Sequence, residues 1–283
     1  VLDIFCTLKS GAYVYFLPQR DFLFPARMMD ELEQRQINTL FWVPSALMHP
    51  ANLGVVKDGR PRGIKRVFFC GEVMPNRQLN IWRRSLPDAD FVNMYGPTEI
   101  TDVCSWYRVD GEPLPIGFPC ENTRITLVDG EICVSGTCLS AGYYNAPEKT
   151  AAAFVQHPDA RGIPERMYKT GDLGAYNERG ELMFLGRKDS QIKKQGYRIE
   201  LGEIECAIKA CQAVTQGCCF YQAATQQIVC CYSGEDDEKA LRGELRRRLP
   251  KYMLPDVYYH LPQFPQTMNG KIDRVRLRQE LGL

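Results

Sequence analysis

Through its first hundred residues the chain alternates short apolar runs with amphipathic ones, and this alternation restricts the fold more than any other feature. The runs 12–17 (AYVYFL), 38–43 (NTLFWV), 65–70 (KRVFFC) and 91–94 (FVNM) have the length and apolar character of strands. Segments 25–36 and 75–85 read as helices, Leu32 being an apolar anchor of the first and a proline sitting near the start of the second. Strand and helix in turn predict an α/β layer on a largely parallel sheet.

From about residue 116 the texture changes. Residues 124–128 (RITLV) and 131–135 (EICVS) flank Asp129-Gly130. A two-residue Asp-Gly connection signals a hairpin, because both turn positions need positive φ. The stretch as far as Gly186 reads as a small antiparallel, barrel-like unit. Residues 186–196 (GRKDSQIKKQG) are polar, charged and bounded by glycines, which suits a linker or hinge. Beyond them the pattern is α+β. A helix over 201–214 carries Ile204 and Ile208 at i, i+4 spacing, with Cys211 next on that face. Strands follow at 218–221 and 228–232. A charged helix at 235–249 is stopped by Pro250, and a last strand covers 257–261. The expected division is 1–186 and 187–283.

Lys+Arg 35 against Asp+Glu 34 leaves net charge +1, so charge gives no reason to expect a nucleic acid or an anionic membrane as partner. No uninterrupted apolar run approaches the roughly 18 residues of a membrane helix. The twelve cysteines form no C-x-x-C pair and are accompanied by only three histidines. That argues against zinc, and the chain is longer than the usual disulfide framework. Buried, reduced thiols in a cytoplasmic protein are expected.

Four segments carry residue types suited to chemistry. Tyr95-Gly96-Pro97-Thr98-Glu99 follows a strand, where open α/β sheets bind ligands. Tyr95 can stack on a flat ring, Thr98 offers a hydroxyl, and Glu99 is a hard oxygen ligand for Mg²⁺. Tyr168-Lys169-Thr170-Gly171-Asp172 sets a carboxylate beside a glycine, as needed to approach vicinal hydroxyls. In the stretch from Gly186 to Glu200, Arg187 can hold ribose or phosphate oxygens, and Gly196 allows close approach. Asn269-Gly270 would present Lys271 at the tip of a turn. Taken singly, each has a plainer reading: a strand-end turn, a solvated charged linker, a surface lysine.

Order and spacing change the weighing. YGPTE, YKTGD, GRKDSQIKKQGYRIELGEIE and NGKIDR, in that sequence, resemble the adenylate-forming superfamily, which includes acyl-CoA synthetases and the adenylation domains of nonribosomal peptide synthetases. PIGFP, LSAGYYNAPEKTAAAF and KYMLP resemble its amino-acid-activating branch. FFCGEVMPN with YGPTEIT is most similar to D-alanine–carrier-protein ligases. The resemblance implies the C-terminal part of a large adenylation domain followed by a mobile α+β lid. It implies ATP and Mg²⁺, an amino acid substrate and a phosphopantetheinylated carrier protein as partner. Tyr95 would stack on adenine and Gly96 line the nucleotide site. Thr98 would sit near the α-phosphate, Glu99 would bind Mg²⁺, and Asp172 would take the ribose hydroxyls with help from Arg187. Cys70, Gly71 and Glu72 would line the substrate pocket. Asp189 would be the hinge, Gly196 would lie along the thiol tunnel, and Lys271 would contact the substrate carboxylate and α-phosphate.

Two departures stand out. The superfamily's phosphate loop and the aspartate that holds an α-amino group are expected upstream of Val1, so this stretch alone is expected to be inactive. Asp102 stands where D-alanine would call for a small apolar residue. It suggests a polar or cationic substrate side chain, or a carboxyl occupied by its own hydrogen bonds. An acyl-CoA synthetase, a carrier-docking fragment without catalysis and a plain nucleotide-binding module are the competing expectations.

Overall fold

The computed structural model describes residues 1–158, 164–188, 190–267 and 272–283. The chain forms two units, Val1–Asp189 and Ser190–Leu283.

The first unit begins with a helical turn, α1 (Thr7–Lys9), and a ten-residue helix, α2 (Pro25–Gln34). Strands β1 (Thr39–Trp42), β2 (Arg66–Cys70) and β3 (Asp90–Tyr95) then pair in parallel. Helix α3 (Pro44–Asn52) joins the first two and α4 (Asn76–Ser85) the second and third, as parallel pairing requires. Strands β4 (Ser105–Arg108) and β5 (Phe118–Pro119) extend the sheet antiparallel, in the order β1-β2-β3-β4-β5. Leu40, Val67, Phe69 and Phe91 share one core with Met28, Met29, Leu47 and Trp82 of the helices. Trp82 is fully buried, and its indole Nε1 donates to Leu47 O at 2.8 Å, which satisfies its one polar atom. Along β3 the pleat buries Phe91, Asn93 and Tyr95 and leaves Val92 and Met94 half-buried on the opposite face.

The second sheet is antiparallel. Strands β6 (Thr123–Val128) and β7 (Glu131–Gly136) form the hairpin expected around Asp129-Gly130, whose φ values are +50° and +78°. After helix α5 (Pro147–Ala153) come β8 (Phe154–Gln156), the eleven-residue β9 (Arg166–Tyr176) and β10 (Leu182–Arg187). The order is β10-β9-β7-β6, with β8 paired to β9. An isolated bridge between Gly117 and Leu182 ties this sheet to the first.

The second unit opens with a hairpin of β11 (Gln191–Lys194) and β12 (Tyr197–Glu200). Helix α6 (Leu201–Lys209), strands β13 (Val214–Gln222) and β14 (Gln227–Gly234), helix α7 (Glu238–Arg248), strand β15 (Val257–His260) and helix α8 (Arg274–Leu281) follow. β14 pairs antiparallel with β13 and parallel with β15. Alternation along the two longer strands loads both faces. Cys219, Ile228, Cys230 and Tyr232 pack with Ile204, Ile208, Leu241 and Leu245, while Cys218, Phe220, Val229 and Cys231 pack with Leu277. All twelve cysteines are free thiols, and eight are buried. Among the described residues no helix is long and apolar enough to cross a membrane.

The structure departs from the sequence reading in four places. Residues 12–17 form no strand, although two of their tyrosines find other partners. Tyr15 OH donates to Glu31 Oε1 at 2.7 Å, and Tyr13 OH donates to Arg35 O. Apolar content gives that segment a strand pattern, but no strand pairs with it among the described residues. The helix expected over 201–214 stops at Lys209, and Val214 already begins β13. The stretch 186–196 is not mainly linker. Gln195 and Gly196 turn with φ of +51° and +80°, and this closes β11 on β12. Its charges are held too: Lys194 is buried and pairs with Asp256 at 2.5 Å. Finally, Arg187 and Lys188 belong to the first unit. Arg187 lies directly opposite Asp172 in the β9–β10 ladder, and Lys188 N donates to Gly171 O at 2.8 Å.

Candidate active site

Strand β3 ends at Tyr95, and the chain must turn sharply there. Gly96 allows it: a Cβ at that position would lie 2.2 Å from Asp102 O, so the loop at 101–103 folds back directly onto residue 96. Backbone cannot yield as a side chain end can. Gly96→Ala should therefore cost at least about 1–3 kcal/mol, read as a lower urea midpoint for the transition that includes this unit. An unchanged midpoint would contradict the close approach. Thr98–Ile100 then forms one 3₁₀ turn that leaves Thr98 exposed and buries Glu99. Tyr143 OH donates to Glu99 Oε1 at 2.7 Å. Burial, with hydrogen bonds to Tyr168 and Glu99, pushes the Tyr143 phenol far up, so it stays a donor.

The second cluster is built by β9. Thr170 Oγ1 donates to Ile132 O at 2.7 Å and accepts from Asp172 N at 3.0 Å. Gly171, with φ +74°, turns its N–H onto Glu131 Oε1 at 2.9 Å. These contacts fix the backbone on both sides of Asp172, which is itself buried. Its Oδ2 accepts from Tyr95 OH at 2.6 Å, and its Oδ1 pairs with Arg187 Nη1 at 2.5 Å. The same guanidinium nitrogen donates to Thr170 O at 3.2 Å. Burial raises the Tyr95 phenol well above its ordinary range, and the Asp172 charge adds to that, so the phenol is a permanent donor. Tyr95, Asp172 and Arg187, which belong to three separate motifs, thus meet in one hydrogen-bonded group.

Two members of the neighbourhood are given no role by the sequence: Glu131 lies in no motif, and Tyr143 lies within LSAGYYNAPEKTAAAF. Glu131, buried just after the Asp129-Gly130 turn, receives the Gly171 N–H and faces Lys169 and Lys188 at 3.9 and 3.6 Å. Tyr143 orients Glu99. An acid directly after the Asp129-Gly130 turn is the sequence hint for the former, and its role emerges only once the β7–β9 register is known.

The remaining candidates are placed as follows. Cys70 is buried at the end of β2, and Gly71 has φ +99°. Glu72 Oε2 accepts from Ser45 N at 2.8 Å, tying residue 72 to the first turn of α3. Gly196 is an exposed turn residue of the β11–β12 hairpin. Asp189 and Lys271 lie outside the described residues. Asp102, after Thr101 with φ +61°, has φ +87°, an uncommon pair of left-handed conformations for side-chain-bearing residues. It lines a cavity of about 420 Å³ whose walls include Phe68, Val92, Met94, Val103 and Trp106. Its Oδ2 is buried and accepts no hydrogen bond among the described residues.

A family profile described as AMP-binding enzyme matches residues 1–144, just over half of the chain. The chain belongs to the AMP-binding enzyme family. The profile of that family's C-terminal domain matches residues 203–271. Tyrocidine synthase 3 of Brevibacillus parabrevis is 34% identical over 99% of this chain, which corresponds to 4% of that protein. The Vibrio cholerae adenylation domain AlmE, solved in complex with glycyl-adenosine-5'-phosphate, superposes with a TM-score of 0.84 at 25% identity, covering 99% of this chain and 56% of that one. Holo-PA1221, a nonribosomal peptide synthetase protein with adenylation and PCP domains bound to a vinylsulfonamide inhibitor, gives a TM-score of 0.77 at 26% identity, covering 90% and 47%. This chain therefore spans a small part of the curated relative and about half of the solved adenylation structures. Its fold, an α/β sheet layer with a second antiparallel sheet, is that of adenylation domains.

Proposed function

We propose that the protein activates an amino acid as its adenylate and passes it to the phosphopantetheine thiol of a carrier protein. The observation that carries this reading is the group formed by Tyr95, Asp172 and Arg187. A buried carboxylate hydrogen-bonded by a guanidinium and a phenol has lone pairs left for two vicinal hydroxyls, which is what a ribose presents. The Tyr95 ring beside it supplies a flat partner for a base. Gly96 and Thr98 border the same turn.

In the first half-reaction a carboxylate oxygen of the amino acid attacks the α-phosphorus of ATP, the bond to the bridging oxygen breaks and pyrophosphate leaves. Two anions must approach each other. Lys271 would offset their repulsion and stabilise the negative charge that builds on the α-phosphate. Magnesium is commonly held by one or two carboxylates together with phosphate oxygens and water, so the buried carboxylate of Glu99 suits it. When bound, the ion supplies positive charge to the phosphate oxygens. In the second half-reaction the thiol sulfur attacks the adenylate carbonyl and AMP leaves. Lys271 has no role there, so a hinge at Asp189 that reorients residues 190–283, with Gly196 lining the thiol's path, accounts for the change of chemistry.

Amino-acid-dependent ATP–pyrophosphate exchange by the full-length protein tests the proposal. Exchange with fatty or aryl acids alone would move the protein to acyl-CoA synthetase chemistry. Carrier binding that needs no nucleotide, without exchange, would make it a docking module.

A further inference from the structure

Strands β13 and β14 bring four cysteines into two facing pairs. The register that starts from Gln222 opposite Gln227 at the turn sets Cys219 opposite Cys230 and Cys218 opposite Cys231. The pleat sends the two pairs to opposite faces of the sheet, each into its own apolar cluster. Within each pair the thiols hydrogen-bond to one another. The pairs are not equivalent. Cys219 N donates to Glu205 Oε1 at 2.8 Å, and Cys219 O accepts from Arg274 Nη1 at 3.4 Å. Both backbone groups of residue 219 therefore point away from β14, to the outer side of β13, which is the edge strand in the order β13-β14-β15. Cys219 and Cys230 are thus a non-hydrogen-bonded pair of the ladder, and the adjoining Cys218 and Cys231 a hydrogen-bonded one. Such pairs have Cα spacings of about 4.5 and about 5.5 Å respectively, with side chains closer in the first. A disulfide needs Cβ atoms about 3.5–4.5 Å apart, a spacing that the non-hydrogen-bonded pair approaches more nearly.

We propose that Cys219 and Cys230 are a reversible disulfide site, closed by a hydroperoxide and reopened by a small thiol, while Cys218 and Cys231 beside them stay reduced. In the first step the Cys219 sulfur attacks the terminal oxygen of the hydroperoxide and the O–O bond breaks. The thiol becomes a sulfenic acid, and the other oxygen takes the thiol proton and leaves as an alcohol, or as water from hydrogen peroxide. In the second step the Cys230 sulfur attacks the Cys219 sulfur, the S–O bond breaks, and water leaves with the Cys230 proton. Two thiols are oxidised and one peroxide is reduced. Both sulfurs are buried. The hydrogen bond with Cys230, with burial added, raises the Cys219 thiol well above its ordinary range, so the closed ladder is unreactive. Reaction follows opening of β13, which as an edge strand has a single neighbouring strand to leave. Once formed, the bridge joins that edge covalently to the central strand of the sheet.

The test treats the full-length protein with hydrogen peroxide, blocks the remaining thiols in denaturant with one alkylating reagent, and labels the sulfurs that dithiothreitol then releases with a second. Peptide fragmentation between residues 218 and 219, and between 230 and 231, assigns the second label to single sulfurs in the wild-type chain. The expected result is second label on Cys219 and Cys230 in equal amounts, at least about tenfold above that on Cys218 and Cys231, because departures from disulfide geometry store strain that makes a bridge more reducible. In Cys219→Ala the label on Cys230 should be lost, whereas Cys218→Ala should keep it on both Cys219 and Cys230. Should a variant fail to fold, the wild-type map alone decides. Equal label on the two pairs, label on Cys218 and Cys231 instead, a Cys230 label that survives Cys219→Ala, or no second label on any of the four would overturn the assignment. None of these outcomes bears on the adenylation reading.

Discussion

Asp172→Ala should destabilise the unit Val1–Asp189 by about 3–5 kcal/mol, the usual result of removing one partner from a buried pair. The Asp172 and Arg187 side chains are only 3% and 13% exposed, so water cannot take over for the missing carboxylate. The Tyr95 hydroxyl would lose its acceptor as well. Urea unfolding of the complete protein, followed through the transition that includes this unit, measures the effect. The paired change Asp172→Leu with Arg187→Met removes both charges and keeps apolar volume, and should recover most of the loss, because a buried ion pair often contributes little net stability over well-packed apolar groups. Affinity for AMP separates the two roles of Asp172. Loss of two charge-assisted hydrogen bonds to ribose should weaken AMP binding on the order of 10²-fold, and the paired change should be no better than the single one. Recovery of stability with no recovery of binding is the signature of a ligand-holding carboxylate. An AMP affinity that tracks stability in both variants would instead make the group a purely structural pair.

Lys271→Ala in the complete protein should lower adenylate formation by about 10²–10³, while transfer from a supplied aminoacyl-adenylate to the carrier thiol stays within a few-fold of wild type. The asymmetry follows from charge. Adenylation brings two anions together and needs a cation between them, whereas attack of a thiol on a mixed anhydride expels AMP from a carbonyl that is already activated. Separate single-turnover measurements of the two half-reactions check it. Equal losses in both steps would remove the basis for a lid that changes position between them, and with it the hinge assigned to Asp189. No loss in the first step would remove Lys271 from the reaction altogether.

Tyr95, Asp172 and Arg187 are legible in the sequence because each sits in a short motif whose glycine announces a special backbone. The structural reason for Gly96 is not legible, since it depends on the carbonyl of Asp102 returning to within 2.2 Å of where a Cβ would stand. Glu131 is hidden for the same kind of reason. Its position after the Asp129-Gly130 turn is plain, but its bond to the Gly171 N–H is set by strand register. The parallel strands can be read almost to the residue, because β1, β2 and β3 are short, largely apolar runs with polar residues or prolines beside them. Helix α3 escapes a sequence reading, since its sequence PSALMHPAN carries an interior proline, Pro50. Polar composition misleads at 186–196, where charges that look solvated form a hairpin and an ion pair between Lys194 and Asp256. Apolar composition misleads in the other direction at 12–17, because a strand also needs a neighbouring edge, which the sequence does not display.

The chemistry itself is most directly tested by the products of one turnover. The complete protein is mixed with ATP, magnesium and its amino acid, without a thiol, and the quenched reaction is analysed by mass. The expected result is an aminoacyl-AMP in amounts approaching one per protein, together with pyrophosphate. Formation of ADP and an acyl phosphate, or of no acylated nucleotide with any carboxylic acid, would contradict the account.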